Sequence, residues 1–125
     1  MSNDNTKIAS AFGAITALNQ SVVLDVARAD GGVIWITATS VTATFTVEGS
    51  FDSTDGVNGT WFTMAASPSN STNLYTQVTS IVLTAAPTIF WTFRALGLSK
   101  VRAKATSFTA AAALTVNMAA HRSEV

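Results

Sequence analysis

The chain has 125 residues, of which 48% are hydrophobic and only 11% charged, with seven Lys and Arg balanced by seven Asp and Glu, and no cysteine. The length suits a single domain with one hydrophobic core. Zero net charge argues against general steering toward nucleic acid or an anionic membrane, and the lack of cysteine excludes disulfides and thiolate chemistry.

Residues 1–20, MSNDNTKIASAFGAITALNQ, place Ile8, Phe12, Ile15 and Leu18 at helical spacing, but Gly13 and the Thr and Asn neighbours weaken a helix. Two readings stay open. One is an extended arm whose apolar residues dock on a neighbouring subunit; the other is a first strand. As an arm, residues 1–18 would be removable without unfolding the rest. The segment has no basic n-region or long apolar stretch, so the expectation is synthesis in a cytoplasm rather than secretion.

From residue 21 onward, short runs rich in Thr, Val, Ile, Phe and Trp alternate with Gly, Asn, Asp, Ser and Pro, which is the pattern of strands and turns. SVVLDVA (21–27) opens the set, and a turn at 29–32 leads to GVIWITAT (32–39). The latter is apolar on both faces, so it is either a central strand or one whose second face meets a partner. After a turn at 40–41, TATFTVEGS (42–50) alternates strictly, with Ala43, Phe45 and Val47 inward and Thr44, Thr46 and Glu48 outward. Asp52–Thr60 reads as a long hairpin loop, with Asp55-Gly56 and Asn58-Gly59 as turn dipeptides. WFTMAA (61–66), TSIVLTA (79–85) and, after a turn at 85–87, TIFWTF (88–93) follow. LSKVRAKAT (98–106) alternates with a change of phase near Ser99-Lys100, which suggests a bulge. LTVNM (114–118) is the last predicted strand. About eight antiparallel strands with one face each to bury predict an all-β, two-sheet β-sandwich over 21–125, immunoglobulin-like or jelly-roll.

Candidate chemistry is sparse. The one histidine, His121, falls on a predicted C-terminal tail, where a catalytic triad would be poorly held. Glu48, Asp52 and Asp55 form the only cluster of acids, without the ligand spacing of a calcium loop, so no metal, cofactor or catalytic residue is assigned. Arg94, Lys100, Arg102 and Lys104 form an acid-free basic run, with Arg102 and Lys104 on one strand face. It reads as a solvated face or a contact to a partner's carboxylates, more than as a phosphate site. Of three tryptophans, Trp35 and Trp91 are expected in the core, and Trp61 could stack on a glycan.

FTVEGSFDSTDGVNGTWF (45–62) and FRALGLSKVRAKATSFTAAAALTVNM (93–118) together resemble small β-sandwich proteins encoded in the structural modules of tailed bacteriophages. The resemblance implies a non-enzymatic virion protein on the capsid surface. It would be a decoration or cement protein that binds the major capsid protein, a homo-oligomer with a trimer favoured. A tail or head-fibre protein is the nearest alternative, and a carbohydrate-binding module using Trp61 is the alternative from another class. The residues expected to meet partners are Ile8, Phe12, Ile15, Leu18, Arg102 and Lys104.

Overall fold

Alternation of β-branched and small polar residues produces strands along almost the whole chain. The computed structural model describes residues 5–38, 42–71, 76–84, 87–109 and 114–123. The predicted turn at 40–41 and most of that at 85–87 lie outside them, as do Asp4 and Glu124. Among the described residues there is no helix and there are ten strands: β1 (Asn5–Ile15), β2 (Ser21–Asp25), β3 (Gly31–Ala38), β4 (Thr42–Ser50), β5 (Phe62–Thr63), β6 (Ser67–Pro68), β7 (Ser80–Leu83), β8 (Phe90–Arg94), β9 (Lys100–Thr109) and β10 (Leu114–Ser123).

The strands form two antiparallel five-stranded sheets. The first has the order β1-β10-β3-β8-β6; the second runs β2-β9-β4-β5, with β7 also paired to β4. β7 meets residues 43–46 of β4 and β5 meets 48–49, so these two share one edge of β4 while β9 takes the other. The pairing is nested about the middle of the chain: β4 with β7, β3 with β8, β2 with β9, and β1 with β10. Successive nested pairs fall in alternate sheets, which is a jelly-roll arrangement. β5 and β6 are two-residue additions inside the central connection. Of the topologies left open by the strand pattern, this is the one formed.

The core lies between the sheets and follows the alternation. Phe45, Val47, Val101, Ala103 and Ala105 from the second sheet meet Ile34, Val116, Leu114 and Met118 from the first, all fully buried. Packing of two inner faces at roughly 10 Å explains the period of two in strands such as β4 and β8.

Three expectations are resolved or corrected. Of the two readings left open for the N-terminal residues, residues 5–15 form the first strand and not an arm, an edge strand paired along its length with β10, with Ile15 only 1% exposed in the core. Period two therefore replaces the helical spacing: Phe12 points outward and Ile15 inward. Second, the last strand continues to Ser123, because β10 sits between β1 and β3 and hydrogen-bonds on both sides. His121 is thus a half-buried strand residue opposite Lys7 and Gly31, not part of a tail. Third, the phase change near Ser99 is a turn before β9; the irregularity lies farther on, where Thr44 pairs with Ser107 but Phe45 pairs with Ala105, leaving Thr106 as the extra residue.

Candidate functional site

The two outer faces have opposite character. On the first sheet, each outward residue can be followed across the strands. One row is Phe12, Asn117, Trp35 and Phe90, contributed by β1, β10, β3 and β8. The row above is Ala14, Thr115 and Thr37, and the row below is Ser10, Ala119, Val33, Thr92 and Ser67. None of these side chains is charged. Phe12 is 79% exposed, and Trp35 and Phe90 are about half exposed, at 42% and 46%. Charge returns only at one margin, where Lys7, His121 and Arg94 flank Gly31. Trp35 is therefore not a core residue; Ile34 and Ile36 take the inward positions, and period two sends Trp35 out. Trp91, one residue after Phe90, is buried as expected.

The face is on the order of 600 Å², taking five strands ~4.8 Å apart and about eight residues at ~3.3 Å each. That approaches the ~800 Å² per partner of a standard protein interface. Large exposed aromatics amid Thr, Ser and Ala resemble the apolar centre of such an interface. A cavity of about 570 Å³ beside Trp35 and Phe90, bounded by Pro87 and Ile89, adds a concavity to the face.

The second sheet carries two ion pairs among the described residues. Arg102 Nε donates to Glu48 Oε1 at 2.8 Å across β9 and β4, with both side chains less than one-fifth exposed. The Arg102 guanidinium also stacks on Trp61, 4.0 Å from the ring centroid, and Trp61 Nε1 donates to the Asn58 carbonyl. Lys100 pairs with Asp25 at 3.6 Å. Arg102 is thus occupied within the fold, whereas Lys104 forms no ion pair among the described residues. Trp61 is only partly exposed and already carries a guanidinium on one face.

The hairpin tip lies over this sheet. A Cβ on Gly56, at φ +84°, would come within 2.8 Å of Val23 Cγ1, so the loop reaches across β9 to touch β2. Its carboxylates are used as turn acceptors. Asp52 Oδ1 accepts from Thr60 N at 2.8 Å and from Ser50 Oγ at 3.0 Å; Asp55 Oδ1 accepts from Val57 N at 2.8 Å and Asn58 N at 2.7 Å. Asn58 Oδ1 in turn accepts from Thr54 N and Ser53 Oγ. Ser99 Oγ donates to the Ser50 and Ser53 carbonyls and ties the loop to the turn before β9. Among the described residues no three His, Asp or Glu side chains converge on a point that could hold a cation.

These bonds favour the ionised carboxylates. The backbone N–H of Thr60 holds the Asp52 carboxyl below its ordinary 3.8, and the N–H groups of Asn58 and Val57 do the same for Asp55. A depressed folded pKa contributes stability that is complete above the unfolded value and is lost as pH falls through the folded value. The loop should therefore stay ordered down to about pH 4 and loosen below it. Following the amide resonances of Val57, Asn58 and Thr60 from pH 6 to 2 tests this; midpoints at or above 3.8 would contradict it.

The partner residues expected from sequence are thus separated. Phe12 lies in the aromatic row, Leu18 is exposed in the β1–β2 turn, Ile8 is partly buried, Ile15 is core and Arg102 is internally paired. The doubly apolar runs 32–39 and 88–93 held the signal for Trp35 and Phe90, since each has more apolar residues than one inward face can use.

The sequence matches no family model and no curated protein. Two solved structures share the fold. The SPBc2 prophage-derived protein YomS superposes with a TM-score of 0.70 at 18% identity, covering 97% of this chain and 96% of that one. The PBSX exported protein XepA gives 0.64 at 15% identity, over 97% of this chain but 39% of XepA. At these identities the likeness is one of fold, and it extends along essentially the whole chain.

Proposed function

We propose that the chain is a non-enzymatic, phage-encoded structural protein that works by docking the outer face of its first sheet on protein partners. The observation that carries this is the uncharged row Phe12–Asn117–Trp35–Phe90, spread over four strands and exposed. One of the two structural neighbours is prophage-derived, and the two sequence blocks that resemble phage structural proteins overlap the hairpin loop and β9 and β10. In the finer form of the proposal the partner is the major capsid protein. The chain then decorates the capsid surface as a homo-oligomer, with a trimer as the first expectation. Mechanically, each copy bridges adjacent capsid subunits and adds buried area to the shell.

A second reading comes from XepA, which is described as an exported protein. On that reading this chain acts outside the cytoplasm and does not remain with the particle. Copy number in purified virions separates the two: hundreds per particle supports decoration, a few to tens supports a tail position, and none supports the second reading.

The docking face itself has a direct test. Phe12→Asp and Trp35→Glu place a charge on an exposed, uncharged surface. Phe12→Asp should change stability by no more than about 0.5 kcal/mol. Both variants should remain folded yet fail to cosediment with capsids or to self-associate. Undiminished attachment by both would remove this face from the mechanism.

A further inference from the structure

The end of the sandwich that bears the 26–30, 51–61 and 95–99 turns carries a second feature, separate from the aromatic row. A groove of about 450 Å³ opens there between the sheets. Phe51 and Phe62 form one wall, edge to face with centroids 5.9 Å apart. Met64, Leu96 and Leu98 complete the lining with Arg94. The floor is Gly49; a Cβ there would sit 2.8 Å from Met64 Sδ and 2.9 Å from Leu98 Cδ1, so these two flexible side chains would have to shift into the depression.

Three of these apolar side chains remain in water at one spot, with Leu96 71% exposed, Phe51 63% and Phe62 53%. A cluster of this kind marks a binding surface more often than a scattered apolar residue does. The polar part of the lining is equally specific. No carboxylate borders the groove, and its single charge is Arg94, exposed and without a hydrogen bond or ion pair among the described residues. On the second sheet, by contrast, Arg102 and Lys100 both have acids. A guanidinium fork left open beside an apolar slot is complementary to a carboxylate that ends an apolar body. The volume lies within the usual range for small-ligand sites.

We propose that this groove binds a free amphipathic carboxylate, an alkyl or arylalkyl chain laid along Phe51, Phe62 and Leu96 with its carboxylate on Arg94. None of the groove's lining residues belongs to the aromatic row, and Arg94, at the charged margin of the first sheet, is the one residue the groove shares with that face. Attachment to a partner and ligand binding can therefore fail separately.

The test is titration of the full chain with octanoate, below its micelle concentration, followed by amide resonances and by calorimetry. Octanol serves as the uncharged probe of the same chain length. Octanoate should bind saturably and shift the amides of Phe51, Phe62, Leu96 and Leu98. Octanol should bind at least about tenfold more weakly, because a charge-assisted hydrogen bond is lost. Arg94→Gln should weaken octanoate by about tenfold and abolish the preference over octanol; Leu96→Asp should abolish both. Equal affinity for the two probes in the unmodified protein would overturn the proposal without any variant. So would octanoate binding that survives Arg94→Gln unchanged. Large vesicles of anionic lipid form the third arm. Association with vesicles but no saturable binding of octanoate would show a lipid surface to be the occupant, and would also overturn it.

Discussion

A chain lacking residues 1–18 is expected to be unfolded, or to melt far below the intact protein. β1 is the outermost of the nested pairs and hydrogen-bonds to β10 from Asn5 to Ile15. Its removal deletes Ile15, which is 1% exposed, together with the partial burial of Ile8, Ala9 and Ala11. One buried isoleucine is worth about 1.5–3 kcal/mol by transfer alone. Loss of β1 also uncovers Leu114, Val116 and Met118 on the inner face of β10 and turns β10 into a new edge with unpaired N–H and C=O groups. A domain of this size has only about 5–15 kcal/mol in hand. The sum of one core residue, several partial burials and a whole ladder should consume most of it. Thermal melts and amide dispersion of the truncated chain, beside Phe12→Asp as a surface control, decide the matter. Cooperative melting within a few degrees of the intact protein would restore the arm reading, in which the segment serves attachment only.

The same strand shows where sequence reading stops. Ile8, Phe12, Ile15 and Leu18 recur at a helical interval, and nothing local forbids that interval. What overrides it is a partner more than 100 positions away: the pairing of Ala14 with Thr115 sets the period of β1 to two. Non-local pairing likewise extends β10 through AAHRS, a stretch with no alternation of its own. Where alternation was strict, as in β4, inward and outward residues could be read directly, and Glu48 was placed correctly on the outward face; its pairing with Arg102 depends on the register between β4 and β9 and was not read. Trp35 was misassigned for a different reason. A strand apolar on both faces does not announce which face is core, and only the fully buried Ile34 and the buried Ile36 resolve it. The apolar groove at the end of the sandwich was not legible, because its lining comes from three separate segments, each unremarkable in sequence.

The two outer faces divide the labour in physical terms. A face proposed to dock on protein gains from neutral area, since charges at an interface centre cost desolvation energy unless paired. The first sheet has that composition. The second sheet places its ions where they neutralise one another, under a loop fastened by Asp52, Asp55, Asn58 and Ser99. This arrangement holds the hairpin rigid and leaves little free charge for a partner.

Arg102→Ala is accordingly expected to act on stability, by about 2–4 kcal/mol, and not on attachment. The substitution leaves Glu48 with less than one-fifth of its side chain in water and no cation, and removal of one partner from a buried pair costs about 3–5 kcal/mol. Residual exposure lowers that figure here, and loss of the stacked guanidinium over Trp61 adds about 0.5–2 kcal/mol. For a chain of this length the melting temperature should fall by roughly 10 °C. Lys104→Ala, two residues along the same strand face and without an ion pair, should stay within about 0.5 kcal/mol. A double variant, Arg102→Met with Glu48→Leu, should recover most of the loss, because apolar replacement of both partners removes the stranded charge. Denaturant unfolding of the parent and the three variants measures each value, and adding the single variants Arg102→Met and Glu48→Leu closes the cycle that isolates the coupling. If Arg102→Ala is as stable as the parent but no longer attaches to capsids, Arg102 is a partner contact after all. The ion pair with Glu48 would then be an arrangement of the free protein that a partner's carboxylate displaces.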